Sequence, residues 1–471
     1  MAKKVSRERL LTRIFIAVVS AILGIWGGHY HQRNISYGND ENNNIKTEII
    51  KHDAIKIAST NNTIIWHFPS SQEVCVKLDF ASCPYPDLIG RISGSALAHL
   101  DRWERRNLTT LHEHHGDSEE IYELTCGSYK NSWLPPDEYN LEIIIVLCDS
   151  FGLVSPMRTY NYSLWLEYDF KQICVEDPAR NRITLSSSTL TVVEDGVRRT
   201  NSFHGDGNVL IEGRWKVNNS VSHRPVRTRY QPQNCRGYNS LLERCTGPTN
   251  NDFVEALTFQ WRDKSSLLEQ LKHYQPDSNP GRRQVVCLVG ASHSRFLFDG
   301  VTTISLSRHF VWSEAQYPSD LSTEFFRQFY NKYKCTKFVI GVGQWSAGFQ
   351  LAQPYSFKQW RDEMTQVVTN QDIFNIDSEI KLILRSIHRI PFGDRSGACP
   401  PTDWRSPVVI DSYNSILKDI VSNVNNSRVS FLDTRFITDP VWDTAPDWGH
   451  LHSQVTTVEA LYIASKVLFD V

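Results

Sequence analysis

The chain has 471 residues, with 50 Lys and Arg against 52 Asp and Glu, giving a formal net charge of −2. That balance excludes the concentrated basic face a nucleic-acid binder needs, so no nucleic-acid partner is expected. A hydrophobic content of 40% supports sizeable packed cores, and the 24 Gly and 20 Pro are too dispersed for collagen-like or low-complexity material.

The first element is a short apolar run, Ile14 to Trp26, preceded by Lys3, Lys4, Arg7, Arg9 and Arg13. Trp26, His29 and Tyr30 occupy the place where a signal peptide would carry small residues for cleavage. The basic residues keep the amino terminus cytosolic and send the remainder across. Residues 1–13 therefore read as a cytosolic tail and 14–30 as a single-pass signal anchor, with a cleaved signal peptide as the competing reading. Asn-x-Ser/Thr sequons at Asn34, Asn61, Asn107, Asn161, Asn218 and Asn425 all follow the anchor, as expected for a glycosylated body in the secretory pathway. The 10 cysteines form an even set suited to an oxidising compartment. Their pairing is not legible. Cys287, inside an apolar run, reads as a buried free thiol. No Cys/His spacing fits a metal site, so neither a metal nor a bound cofactor is expected.

Residues 31–70 are polar and read as a stem. Over 71–172, short strand patterns separated by turns suggest an immunoglobulin-like β-sandwich. Examples are Leu141 to Leu147 after the Pro135-Pro136 turn, and the alternating stretch Tyr160 to Tyr168.

From 205 to 471 the pattern changes to alternating strands and helices. Strands are expected at Gln284 to Gly290, Lys337 to Gly343, Ile380 to Arg385 and Val429 to Asp433. Helices are expected at Phe253 to Tyr274, Leu321 to Tyr333, Phe357 to Val368, Tyr413 to Val424 and Gln454 to Leu468. Such alternation implies an α/β fold, a three-layer parallel-sheet domain whose site lies beyond the carboxyl ends of the strands.

Three segments at those strand ends carry chemistry. Gly290-Ala291-Ser292-His293-Ser294-Arg295 puts a serine at a helix start, whose positive end can support an oxyanion. Gly341-Val342-Gly343-Gln344-Trp345 ends the next clear strand, and Gln344 could donate a hydrogen bond into the same cleft. Asp447-Trp448-Gly449-His450 precedes the last helix, with a spacing that lets a carboxylate fix the imidazole that acts as base. A serine hydroxyl needs such a partner to attack an acyl carbon. Each residue also has a bland role: Ser292 a helix cap, Asp447 a cap, His450 a surface histidine. Their convergence favours acyl transfer, with Arg295 as a further charge near the oxyanion. Ser294 is the second-choice serine and His452 the rival base. Arg385, His388, Arg389, Arg395 and Arg405 surround a Pro- and Gly-rich loop, which could grip an acidic sugar or be a solvated connection.

The serine segment and Asp447-Trp448-Gly449-His450 resemble the Gly-Asp-Ser and Asp-x-x-His motifs of the PC-esterase branch of the SGNH/GDSL hydrolases. Gly213-Arg214-Trp215, Cys235 and Trp261-Arg262 resemble the segment that precedes the serine motif in that branch. The layout of anchor, sandwich and esterase domain is similar to the neurexophilin and PC-esterase domain proteins. Trichome-birefringence-like O-acetyltransferases share the anchor and the esterase domain. The resemblance implies a flavodoxin-like SGNH domain with Ser292 as nucleophile, His450 as base and Asp447 as its orienting acid. It also implies O-acetyl transfer to a glycan or glycoprotein in the Golgi lumen. The acyl donor would be acetyl-CoA or an acetylated glycan. The alternatives are an acetylesterase of the same fold and an inactive glycan-binding or adhesion protein. Three departures stand out. Ala291 replaces the motif's Asp, Gln344 stands where many SGNH enzymes use Asn, and residues 301–340 hold no glycine for the usual oxyanion loop.

Overall fold

The computed structural model describes residues 47–49, 55–59, 63–78, 86–110, 120–129, 134–148, 188–192, 213–217, 257–261, 285–347, 355–389, 405, 407–444 and 450–469. The anchor at 14–30, the Tyr160 to Tyr168 strand, Asp447, Arg395 and the sequons at Asn34, Asn61, Asn161 and Asn218 lie outside them. Among the described residues no helix is long and apolar enough to cross a membrane.

The amino-terminal part is a mostly antiparallel β structure. Its strands are β1 (Thr47–Ile49), β2 (Ile55–Ser59), β3 (Thr63–Phe68), β4 (Glu73–Leu78), β5 (Pro86–Ser93), β6 (Ala96–Thr110), β7 (Glu120–Ser128), β8 (Asp137–Cys148) and β9 (Ser188–Val192). Two hairpin strands follow, β10 (Gly213–Val217) and β11 (Leu257–Trp261). β1 runs parallel to its partner β6. β6 organises the whole. Its first residues pair with β5 and β10, its later ones with β7 and β1, and the ladder shifts between Asp101 and Glu104 where it passes from one set to the other. A strand that changes partners at an irregularity makes a corner between two sheets. Side chains from both sets then share one core: Ile65, Val74 and Val76 pack with Ile92, Leu100 and Leu141. Tyr139, Leu141 and Ile143 of β8 are buried at the two-residue period of a one-sided strand. Cys75 and Cys126 lie directly opposite in β4 and β7 and are joined by a disulfide.

Two expectations need correction here. Thr47–Ile49, Ile55–Ser59 and Thr63–Phe68 fall in the segment read as a stem, yet they are paired strands of this sheet. Residues Leu257–Trp261 fall in an expected helix but form β11, in register with β10 through Gly213↔Trp261 and Trp215↔Phe259. Packing outweighs local propensity there. Trp215, Phe259 and Trp261 form edge-to-face ring pairs, and Trp215 and Trp261 sit in a buried cluster with Phe436 and Tyr462.

The carboxyl-terminal part holds five parallel strands: β12 (Val285–Val289), β13 (Phe310–Ser313), β14 (Cys335–Ile340), β15 (Lys381–Arg385) and β16 (Val429–Leu432). Their spatial order is β13-β12-β14-β15-β16. Numbered from β12 this is 2-1-3-4-5, a doubly wound order whose switch point lies between β12 and β14. The four expected strands are present; β13, only four residues long, was not anticipated. The near-continuous apolar runs of β12 and β14 suit strands buried on both faces.

Helices cover both faces. α1 (Ser292–Thr303), α2 (Thr323–Tyr333), α3 (Phe357–Thr369), α4 (Pro407–Val424) and α5 (Ser453–Phe469) follow in chain order. α1 and α5 pack one face through Leu297, Val301, Ile463 and Val467, while α2, α3 and α4 pack the other through Phe326, Trp360, Tyr413 and Leu417. Ser322 and Ser356 cap α2 and α3 by accepting the N–H groups of Phe325 and Gln359. Gly300 lets α1 meet α5, since a Cβ there would lie 2.8 Å from the Thr456 carbonyl oxygen. Cys287 is not a free thiol: it is bonded to Cys335, so the two central strands are cross-linked side by side.

Candidate active site

The switch point sets Ser292. β12 ends at Val289, and Gly290 turns the chain with φ +148°, a conformation suited to glycine. A side chain on Gly290 would also collide, its Cβ 2.4 Å from the Ser294 hydroxyl. The turn is pinned to the neighbouring strand: Gly290 N–H donates to Ser313 O at 3.0 Å, and the Trp312 indole N–H donates to Gly290 O at 3.0 Å. Ser292 then opens α1 and is half-buried. Ala291 offers no side-chain cap, so the positive end of α1 is not compensated by the carboxylate that an Asp would put there.

The rival serine is used elsewhere. Ser294 is buried, and its hydroxyl donates to Val289 O at 3.0 Å, tying α1 back to the end of β12. The rival base is used elsewhere too: His452 Nδ1 accepts the N–H of Gln454 and so caps α5.

His450 meets the same helix that Ser292 opens. Its ring centroid lies 4.4 Å from Phe296 and 5.2 Å from His293. His293 in turn meets His388 edge-to-face at 4.4 Å. Three imidazoles therefore run in a row from the start of α5, past the first turn of α1, to the segment after β15. Sequence reasoning named His293 only as a neighbour of the nucleophile and His388 only as part of a basic cluster. Neither carried a motif. Arg295 is exposed on the first turn of α1.

Gly343 and Gln344 follow β14. Gly343 has φ +127°, and a Cβ there would lie 2.2 Å from Ile387 Cδ1. Gln344 is buried, but its amide does not behave as expected. Its Nε2 donates to His388 O at 2.8 Å, and its Oε1 accepts from Arg405 Nη1 at 3.3 Å. The side chain ties the end of β14 to the segment after β15 and commits one of its two N–H bonds there.

The described members of the basic cluster are not solvated. Arg385, His388, Arg389 and Arg405 are all buried. Arg385 pairs with Glu459 at 3.2 Å, and the same carboxylate oxygen accepts from Thr434 Oγ1. Arg389 donates to Asp411 at 2.7 Å and lies 3.7 Å from Asp439. The charges of Arg385 and Arg389 are thus spent inside the protein. Burial holds His388 well below the usual imidazole range, with Arg385, His450 and Arg405 adding to that effect, so the ring is neutral at physiological pH. Burial also raises the Asp439 carboxyl, although Arg389 pulls the other way. Among the described residues no group of three or more His, Cys, Asp or Glu could hold a metal ion.

A doubly wound α/β domain with a serine at its switch point and a histidine against the same helix is a class that supports acyl chemistry. No family model and no curated protein matches the chain. A solved structure described as a "putative acylhydrolase", from Bacteroides fragilis, is similar over 43% of this chain and 97% of its own, at 15% identity and a TM-score of 0.31. At that level the likeness says nothing of activity.

Proposed function

We propose that the chain is a serine-dependent acyl-transfer enzyme, acting on O-acetyl groups of a glycan. The observation that carries this reading is Ser292 at the uncapped start of α1, at the switch point, with His450 packed against the same helix. Ser292 Oγ attacks the acyl carbonyl carbon and its proton passes to His450. The carbonyl electron pair moves to oxygen, which the positive end of α1 stabilises. Collapse breaks the bond to the leaving alkoxide, which takes the proton back from His450. A sugar hydroxyl or water then repeats the sequence on the acyl-serine, the first making a transferase and the second an esterase. The resemblance to anchored O-acetyltransferases favours the transferase. In this reading Asp447 orients His450, residues 14–30 anchor the chain in a Golgi membrane, and an immunoglobulin-like sandwich stands beside the lumenal site. Disulfides in both parts of the chain suit that oxidising compartment.

The test is mass spectrometry after brief incubation with para-nitrophenyl acetate. An acetyl adduct on the peptide containing Ser292, absent in Ser292→Ala, is expected. No adduct on folded protein overturns the enzyme reading in favour of an inactive glycan-binding protein.

A further inference from the structure

The His388 ring is 3% exposed, and its Nε2 has no hydrogen-bond partner among the described residues. A buried polar atom without a partner is costly and calls for an explanation. The surrounding structure holds this ring firmly. Gln344 Nε2 grips its carbonyl. The Asn414 amide holds the N–H and C=O of Ile387 before it, both at 2.7 Å. Asp439 accepts the N–H of Arg389 after it at 3.1 Å. Three successive residues are thus fixed by side chains from three different elements. The ring they present stands 4.4 Å from that of His293, the immediate neighbour of Ser292. Meanwhile Gln344, the side chain expected to donate into the cleft, spends one of its N–H bonds on the His388 backbone. Arg405 in turn holds the other end of that amide.

We propose that His388 is a further catalytic residue of this site, whose Nε2–H donates a hydrogen bond to the acyl oxygen as negative charge develops on it. This inference rests on the acyl-transfer reading of Ser292. The orphaned nitrogen gains its partner only when an acyl group is bound, and Gln344 and Arg405 act as positioning residues behind it. A neutral imidazole in a dry, fixed setting needs no reorganisation at the moment of reaction, which is what makes such a donor effective. The burial and neighbouring charge that disfavour its protonated form make it a poor base, so it does not compete with His450 for the serine proton.

The experiment compares full-length wild type, His388→Phe and His388→Gln with para-nitrophenyl acetate, following kcat, KM and the acetyl adduct on Ser292. His388→Phe keeps a ring but loses the donor, and kcat is expected to fall about 100-fold or more with KM nearly unchanged. His388→Gln keeps an N–H and should recover part of that loss. Folded His388→Phe with wild-type kcat overturns the inference while leaving Ser292 as nucleophile. A rise in KM with unchanged kcat does the same. If wild type forms no adduct, the acyl-transfer reading falls and this one with it. Should His388→Phe not fold, NMR of the histidine ring protons decides on wild type carrying a fluorophosphonate adduct at Ser292. A downfield move of the His388 ring N–H supports the donor, and an unmoved signal overturns it.

Discussion

Asn414 replaces a strand for Ile387: its side-chain amide accepts the Ile387 N–H and donates to the Ile387 carbonyl, each at 2.7 Å. Among the described residues no strand pairs with Ile387, and α4 supplies one amide group in its place. Asn414→Ala leaves two buried backbone groups unpaired and is expected to cost about 2–4 kcal/mol, read as a lower denaturant midpoint. Asn414→Asp sets a buried carboxylate against the Ile387 carbonyl oxygen and should cost at least as much as Ala at neutral pH, less as acid protonates it.

The two serines of the α1 turn separate cleanly. Ser292→Ala should abolish acetyl exchange and leave the melting temperature near wild type. Ser294→Ala removes the hydroxyl that Val289 O accepts. It should cost about 1 kcal/mol of stability and leave acylation of Ser292 in place. Serine-directed labelling of both variants, with thermal melts alongside, checks the pair.

His388 also makes a pH prediction. Its folded pKa lies below the unfolded value of 6.5, through burial first and then Arg385, His450 and Arg405, with the His293 ring against it. For a depressed pKa the unfolded chain binds the proton first. The contribution of His388 is therefore fully present above the unfolded pKa and is lost as pH falls toward the folded one. Stability should decline below about pH 6.5 with a slope of up to about 1.4 kcal/mol per pH unit from this group. His388→Gln should flatten that decline, as measured by melting temperature between pH 7 and 5. An equal decline in the variant would assign the slope to other groups.

The Cys287–Cys335 bond spans 48 residues and joins neighbouring strands in the core. Replacing both cysteines by Ala is expected to cost about 2–4 kcal/mol, since cross-linking restricts the unfolded chain. Reducing agent should lower wild type by more than the double variant, which among the described residues keeps only the contribution of Cys75–Cys126 to lose.

What could be read beforehand follows from how local the information is. The core strands β12, β14, β15 and β16 announce themselves as short apolar runs between helical patterns. Ser292 and His450 stand at positions that sequence spacing exposes. β13 is four residues, Phe310–Ser313, too short for periodicity to distinguish. Leu257–Trp261 carries an apolar spacing compatible with a helix, and only its pairing with Gly213–Val217, some forty residues away, makes it a strand. The role of Gln344 is hidden from the sequence for the same reason. The carbonyl it grips and the guanidinium that grips it come from segments 44 and 61 residues away. The apolar run around Cys287 gives no hint that Cys335, on the adjacent strand, lies within bonding reach.

β6 has a consequence for how this chain can be taken apart. β10 borders it through Trp215↔Leu97, the Trp215 indole N–H reaches Ile437 O, and Arg389 reaches the carbonyl of Leu100. The segment after β15 that presents His388 is therefore braced partly from the opposite half. Cutting near residue 205 and expressing only the remainder would bare the edge of β10 and remove the acceptor of an Arg389 bond. The two halves therefore share one seam, and separating them would open it beside the carboxyl ends of the parallel strands.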